Sequence, residues 1–242
     1  MADRDLSALR VQALVHAGAI GAVLAVALAA PFDVLTTAQG LVALAAYAAL
    51  VVVMAGALPA HLPQTRFGAA NALTLARGAA ACALTGFLAG PLDAPLLWVA
   101  ALMALTCIAL DGVDGWLARR LATASPFGAR FDMEVDAALM LILGLLLVAS
   151  GTLGAWVLLI GLARYLFVVA GWLVPALRAP LPYSDRRRAV CVFQGIALAV
   201  ALIPDLPAYV ANHVAVAGLL ATSWSFGIDI LYLLRSAAPA AD

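Results

Sequence analysis

The chain has 242 residues, 66% of them hydrophobic and 11% charged, with a formal net charge of zero. So much apolar surface exceeds what a water-soluble core can bury, which excludes an ordinary soluble domain and points to an integral membrane protein. The balanced charge offers no basic excess for nucleic acid, and Cys82, Cys107 and Cys191 lie far apart in apolar runs, which excludes a disulfide framework or a cysteine metal site.

Apolar runs of spanning length, about 20 residues each, fall at 12–31, 40–60, 71–90, 95–117, 132–151, 155–175, 189–204 and 209–234. Short connections such as AGPLDAP, SGTLG and PDLPA separate them, and no internal repeat or low-complexity linker interrupts the chain. The first run follows Arg4 and Arg10 and is longer than the apolar stretch of a cleaved leader, so it is expected to remain as a span. The predicted fold is therefore all-α: a polytopic membrane protein of about eight transmembrane helices, the first two added to a six-helix core.

Every basic residue is Arg. With the N-terminus inside and eight spans threaded, Arg4, Arg10, Arg66, Arg77, Arg119, Arg120, Arg130, Arg178, Arg186, Arg187, Arg188 and Arg235 all fall on one side. The outer loops hold Asp33, Asp93 and Asp205. The positive-inside rule then puts both termini in the cytoplasm. Arg164 is the exception, inside the sixth span, where a charge needs a partner. Asp229 in the eighth span is expected to be that partner; the alternative is that Arg164 reaches a substrate pocket. His16 and His213 read as hydrogen-bonded packing residues, and His61 as interfacial. HLPQTRFGAAN (61–71) reads as an amphipathic segment along the inner surface.

The stretch DGVDGWLARRLATASPFGARFDMEVD (111–136) covers the inner end of the fourth helix, a short loop and the start of the fifth. At about 100° per residue, Asp111, Asp114, Gly115, Ala118 and Arg119 share one side of the fourth helix. Gly128, Asp132 and Asp136 form one stripe on the fifth. As antiparallel neighbours, the two helices bring four carboxylates into one cavity. Such a cluster is tolerable around hard cations, Mg²⁺ or Mn²⁺, which take oxygen ligands and bind phosphates alongside. Arg119 suits a bidentate phosphate contact. Gly115, Ala118 and Gly128 leave room for a ligand against the backbone. The chemistry indicated is metal-assisted phosphoryl-type transfer. Glu134 points away from the stripe and reads as a solvated neighbour.

Written as D-x2-D-G-x2-A-R-x8-G-x3-D-x3-D, this stretch resembles the signature of the CDP-alcohol phosphotransferases, with every gap intact. Upstream, ANALTLARG (70–78) resembles the first core helix of that family. The resemblance divides the chain into two additional N-terminal helices with an interfacial segment (1–67) and a six-helix core (68–242). It implies that Asp111, Asp114, Asp132 and Asp136 bind the metals, two ions of Mg²⁺ or Mn²⁺, and that Asp136 is also the general base. It implies that Gly115, Ala118, Arg119 and Gly128 line the CDP site, with Asn71, Thr74 and Arg77 close to the nucleotide or its diphosphate. The implied reaction is transfer of a phosphatidyl group from CDP-diacylglycerol to an alcohol, with CMP released by direct displacement, since no Ser, Cys or His is placed as a nucleophile. The resemblance also implies a homodimer in the inner or plasma membrane with a cytoplasmic active site.

The acceptor is read from RRRAVCVFQ at the start of the seventh helix. Arg186, Arg187 and Arg188 serve equally as an inside-positive anchor or as a pocket for a phosphorylated acceptor, of which glycerol 3-phosphate is the first choice. Inositol phosphate, serine and phosphatidylglycerol are the alternatives. The competing class is an ion or proton-coupled transporter using the same carboxylates, which needs no glycine or alanine at fixed offsets.

Overall fold

A computed structural model of the chain describes residues 2–29, 36–62, 64–120 and 125–237; the side chains of residues 2–4, 29 and 114–119 lie outside the described set. The described residues form α1 (Ala2–Ala29), α2 (Thr37–Ala57), α3 (Gly68–Phe87), α4 (Ala94–Arg120), α5 (Pro126–Ala149), α6 (Leu158–Leu173), α7 (Asp185–Ala201) and α8 (Ala208–Ala237), with three short 3₁₀ turns and no strand. The all-α, polytopic expectation holds.

Local chemistry sets several helix ends. At the start of α2, the Gln39 N–H donates to the Thr36 hydroxyl at 3.3 Å and the Thr36 N–H to the Gln39 side chain at 2.7 Å. Ser125 caps α5 by accepting from the Gly128 N–H at 3.0 Å, and Pro126 starts the helix with no N–H left over. Beyond α5, Gly151 takes a φ of 73°, the left-handed region that favours glycine.

Two apolar cores meet along α3 and α5. In one, Leu84, Phe87, Ala100, Leu143, Leu147 and Leu198 join α3, α4, α5 and α7. In the other, Leu9, Tyr47, Met54, Leu75, Phe127 and Phe131 join α1 and α2 to α3 and α5. The Tyr47 hydroxyl donates to the Ala17 carbonyl at 2.8 Å and ties α2 to α1. Thus the two N-terminal helices share a core with the helices that carry the charged motif. The main contacts of α4 run to α3 and α7, and both of those helices also pack on α5. Both α3 and α7 thus hold the described parts of α4 and α5 together, and Asp111 of α4 reaches Asp132 and Asp136 of α5.

Among the described residues, five segments are long and apolar enough, by length and composition, to cross a membrane: Asp5–Leu28, Thr37–His61, Ala94–Val113, Ala155–Leu173 and Ala208–Ala237. All eight expected helices are present as α1–α8, and α3, α5 and α7 fall short of that measure by composition or length rather than by being absent. Asn71, Thr74 and Arg77 sit in α3, four charged residues from Arg130 to Asp136 sit in α5, and α7 has only 17 residues, opening on Asp185 and three arginines.

Close packing of α6 on α5 depends on Gly161. A Cβ there would lie 2.5 Å from the Leu141 backbone. Gly161→Leu is expected to force the helices apart and lower the thermal midpoint in detergent by roughly 5 °C or more, read by a melting series on size-exclusion chromatography.

Candidate active site

Three helices deliver the charged groups to one place. Asp132 and Asp136 are four apart on α5 and share a face. Asp111 comes from α4, and carboxylate oxygens of the three lie within 4.8 Å of one another. At that spacing each like-charged pair costs about 3.5 kcal/mol at an effective dielectric of roughly 20. Arg77 of α3, 2% exposed, offsets part of this cost. Its Nη1 donates to Asp132 Oδ1 at 2.8 Å and lies 3.1 Å from Asp111 Oδ1, while Nη2 donates to Asp136 Oδ1. Among the described contacts, three carboxylates face one guanidinium. Hard oxygen donors at this spacing fit a divalent cation, and the cluster could hold one.

Asn71 and Gly128 meet beside this cluster. A Cβ on Gly128 would lie 2.8 Å from Asn71 Oδ1, so only glycine lets α5 approach α3 there. The Asn71 amide donates to the Phe67 carbonyl at 2.6 Å, and the Thr74 hydroxyl to the Ala70 carbonyl at 3.2 Å. Gly128→Val is expected to displace Asn71 and to lower the thermal midpoint in detergent by roughly 5 °C, read by a melting series on size-exclusion chromatography. His61, read as interfacial, ends the Thr37–His61 candidate span and is 1% exposed. Its Nε2–H donates to the Arg66 carbonyl at 2.9 Å, and its Nδ1 bonds the Ser125 hydroxyl at 2.7 Å, so it braces the cap of α5. Asp114, Gly115, Ala118 and Arg119 belong to α4, but their side chains lie outside the described residues.

A cavity of about 760 Å³ adjoins the carboxylates, lined by Asp111, Asp132 and Asp136 and by residues of α6, α7 and α8. The three arginines of α7 divide in role. Arg186 is not among its lining residues: it donates to the Ser225 carbonyl and hydroxyl at 2.5 and 2.7 Å and to Asp229 at 2.5 Å, pinning α7 to α8. Arg187 and Arg188 line the cavity. Arg187 also bonds Asp229 at 3.2 Å and the Pro182 carbonyl.

The expected pairing of Arg164 with Asp229 is wrong. Asp229 is taken by Arg186 and Arg187. Arg164 pairs instead with Glu134, on the side of α5 away from the aspartate stripe, and also lines the cavity. Glu134 is exposed, as read, but not merely solvated.

Other polar neighbours join the site. Cys191, read from sequence as a small buried hydrophobe, has its Sγ 3.9 Å from Asp136 Oδ2, to which it donates. Gln194 lines the cavity and accepts the Thr222 hydroxyl. Thr222, Ser225 and Asp229 recur at helical spacing on α8, and all three are buried. That pattern was the available signal for an α8 face turned toward the site.

The model of a family described as CDP-alcohol phosphatidyltransferase matches residues 67–226, from the start of α3 into α8. No solved structure matches the chain.

Proposed function

The chain belongs to the CDP-alcohol phosphatidyltransferase family, whose members transfer a substituted phosphate group from a CDP-alcohol to an alcohol, and we propose that its donor is CDP-diacylglycerol and its acceptor an alcohol that also carries a phosphate. The observation that carries this reading is the convergence of Asp111, Asp132 and Asp136 on a cavity that Arg164, Arg187 and Arg188 also line. Glycerol 3-phosphate, inositol phosphate and phosphatidylglycerol all present a hydroxyl and a phosphate; serine lacks the phosphate.

In this proposal Asp111, Asp114, Asp132 and Asp136 hold two ions of Mg²⁺ or Mn²⁺, which when bound would polarise the diphosphate and stabilise the leaving group. Asn71, Thr74, Gly115, Ala118, Arg119 and Gly128 take the cytidine diphosphate. Arg77 engages Oδ1 of Asp136, which leaves Oδ2 to accept the proton of the acceptor hydroxyl. That oxygen attacks the phosphorus bearing the diacylglycerol, the bond from phosphorus to the bridging oxygen breaks, and CMP leaves with the bonding pair. Arg119 offsets its charge. The site works on the cytoplasmic face, and both termini are cytoplasmic, on the strength of the one-sided arginines.

Direct displacement also has to meet Cys191. The surrounding carboxylates repel the thiolate that a covalent route needs. Cys191→Ala is expected to retain turnover within about fivefold; complete loss would instead indicate a phosphatidyl-cysteine intermediate.

The test of the proposal is CMP release by purified protein given CDP-diacylglycerol, Mg²⁺ or Mn²⁺ and one acceptor at a time. Metal-dependent release with a phosphate-bearing alcohol is the expected result. No release with any acceptor is the result for a carboxylate-based transporter, and release with serine alone would remove the arginines from the acceptor's recognition.

A further inference from the structure

The walls of the cavity are less polar than a phosphorylated polyol requires. Met133 and Met140 of α5, Ile160 and Phe167 of α6, Leu181, and Phe226 of α8 all line it. A free glycerol phosphate has about ten non-hydrogen atoms and fills roughly 300 Å³ even at the ~30 Å³ that one water occupies in the liquid. The cavity measures about 760 Å³, so a free glycerol phosphate leaves more than half of it unfilled. Pockets of this size and lining bury ligands with a substantial hydrocarbon part.

The polar groups of the cavity are few and placed on particular helices. Arg164 of α6 and Arg187 and Arg188 of α7 supply donors for one phosphate. Gln194 of α7 accepts the Thr222 hydroxyl through Oε1, which fixes the amide and turns its NH₂ to ligand recognition. Asp136 lines the same space. A ligand that satisfies all of these has a hydroxyl, a phosphate and an apolar remainder.

The seam between α6 and α8 adds a way in from the bilayer. Phe167 and Phe226 meet across it with ring centroids 5.6 Å apart, and both also line the cavity. On either side the same helices expose Leu166, Val168, Trp224 and Ile228, the surface expected toward lipid tails. Both rings are partly exposed, so they stand between that surface and the cavity at the seam.

We propose that the acceptor is itself a membrane lipid, an alcohol whose hydroxyl-bearing headgroup is joined through a phosphodiester to its hydrocarbon chains, and that it enters between α6 and α8. This rests on the phosphotransfer reading of the same site. Glycerophosphate chemistry is common to a free phospho-alcohol and to such a headgroup; the apolar volume and the seam select the lipid.

The experiment compares two acceptors in one preparation: phosphatidylglycerol in mixed micelles and free glycerol 3-phosphate, each with CDP-diacylglycerol and Mn²⁺, following CMP. At least tenfold faster release with phosphatidylglycerol is the expected result. Phe167→Ser is then expected to raise the KM for the lipid at least fivefold at unchanged kcat, because the ring packs against the hydrocarbon and touches no reacting atom. Faster or equal release with glycerol 3-phosphate overturns the lipid acceptor and leaves the phosphotransfer reading standing, with the apolar wall assigned to the chains of the donor. No release with either of these or with any other alcohol overturns both.

Discussion

Asp136→Asn is expected to lower CMP release by about 10³-fold while the protein stays folded. The amide has the shape of the carboxylate, and its Oδ1 can still accept from Arg77, which bonds Asp136 Oδ1 in the native chain. What the variant loses is an oxygen able to take a proton and one negative charge of the cluster. Cytidine nucleotide binding is expected to persist in part, because Asn71, Thr74 and Gly128 are untouched. Parallel assays of CMP release and of nucleotide binding in one detergent preparation separate the two effects. An Asn variant that turns over at the native rate would take the base role away from Asp136.

Arg77→Gln is expected to be the most destabilising single change in the site. Arg77 is 2% exposed and contacts Asp111, Asp132 and Asp136 at once. Removing one member of a buried ionic network costs about 3–5 kcal/mol, because the remaining charges stay buried without compensation. In a chain of this size that corresponds to a drop of roughly 10 °C in thermal midpoint. A divalent metal then offsets charge that the guanidinium no longer does, so Mn²⁺ is expected to raise the midpoint of Arg77→Gln by more than it raises that of the native protein. Arg77→Lys is expected to rescue little. The native contact uses two nitrogens of one planar fork, Nη1 to Asp132 and Nη2 to Asp136, and an ammonium presents a single point. Equal midpoints for Arg77→Gln and the native protein, with and without Mn²⁺, would mean that the guanidinium does not hold the carboxylates together.

Much of the fold is legible as apolar runs between Gly and Pro punctuation, because a helix inside a membrane must satisfy its own backbone. The misses at helix starts have local causes. An apolar window places α1 from 12, whereas it begins at Ala2, since a polar turn around Arg4 and Arg10 extends the helix beyond the apolar stretch. It places α5 from 132, whereas Ser125 and Pro126 start it earlier by capping chemistry that apolarity does not register.

In the site, helical spacing alone puts Asp132 on the same face as Asp136, and their meeting with Asp111 follows from the return of the chain after α4. The partners of the charges were less legible. That Arg77 binds those aspartates depends on α3 packing against both α4 and α5, a long-range fact absent from local spacing. Asp229 and Arg164 both interrupt apolar runs, which made them a natural pair. Yet α6 packs against α5 and brings Arg164 to Glu134, while α7 packs against α8 and brings Arg186 and Arg187 to Asp229. His61 offered no signal of burial, because its contacts with Ser125 and with Phe127 lie more than sixty residues along the chain.

The central claim is that the aspartates of α4 and α5 form a divalent-metal centre at which the diphosphate of a CDP-linked lipid is cleaved. The most direct measurement is a crystal structure of the protein with Mn²⁺ and a cytidine nucleotide, with data at the Mn absorption edge. The account expects anomalous peaks about 2.0–2.2 Å from oxygens of Asp111, Asp132 and Asp136, with the nucleotide's phosphate oxygens completing the coordination. Nucleotide bound at the site with no manganese among these aspartates, or manganese bound only elsewhere, would contradict it.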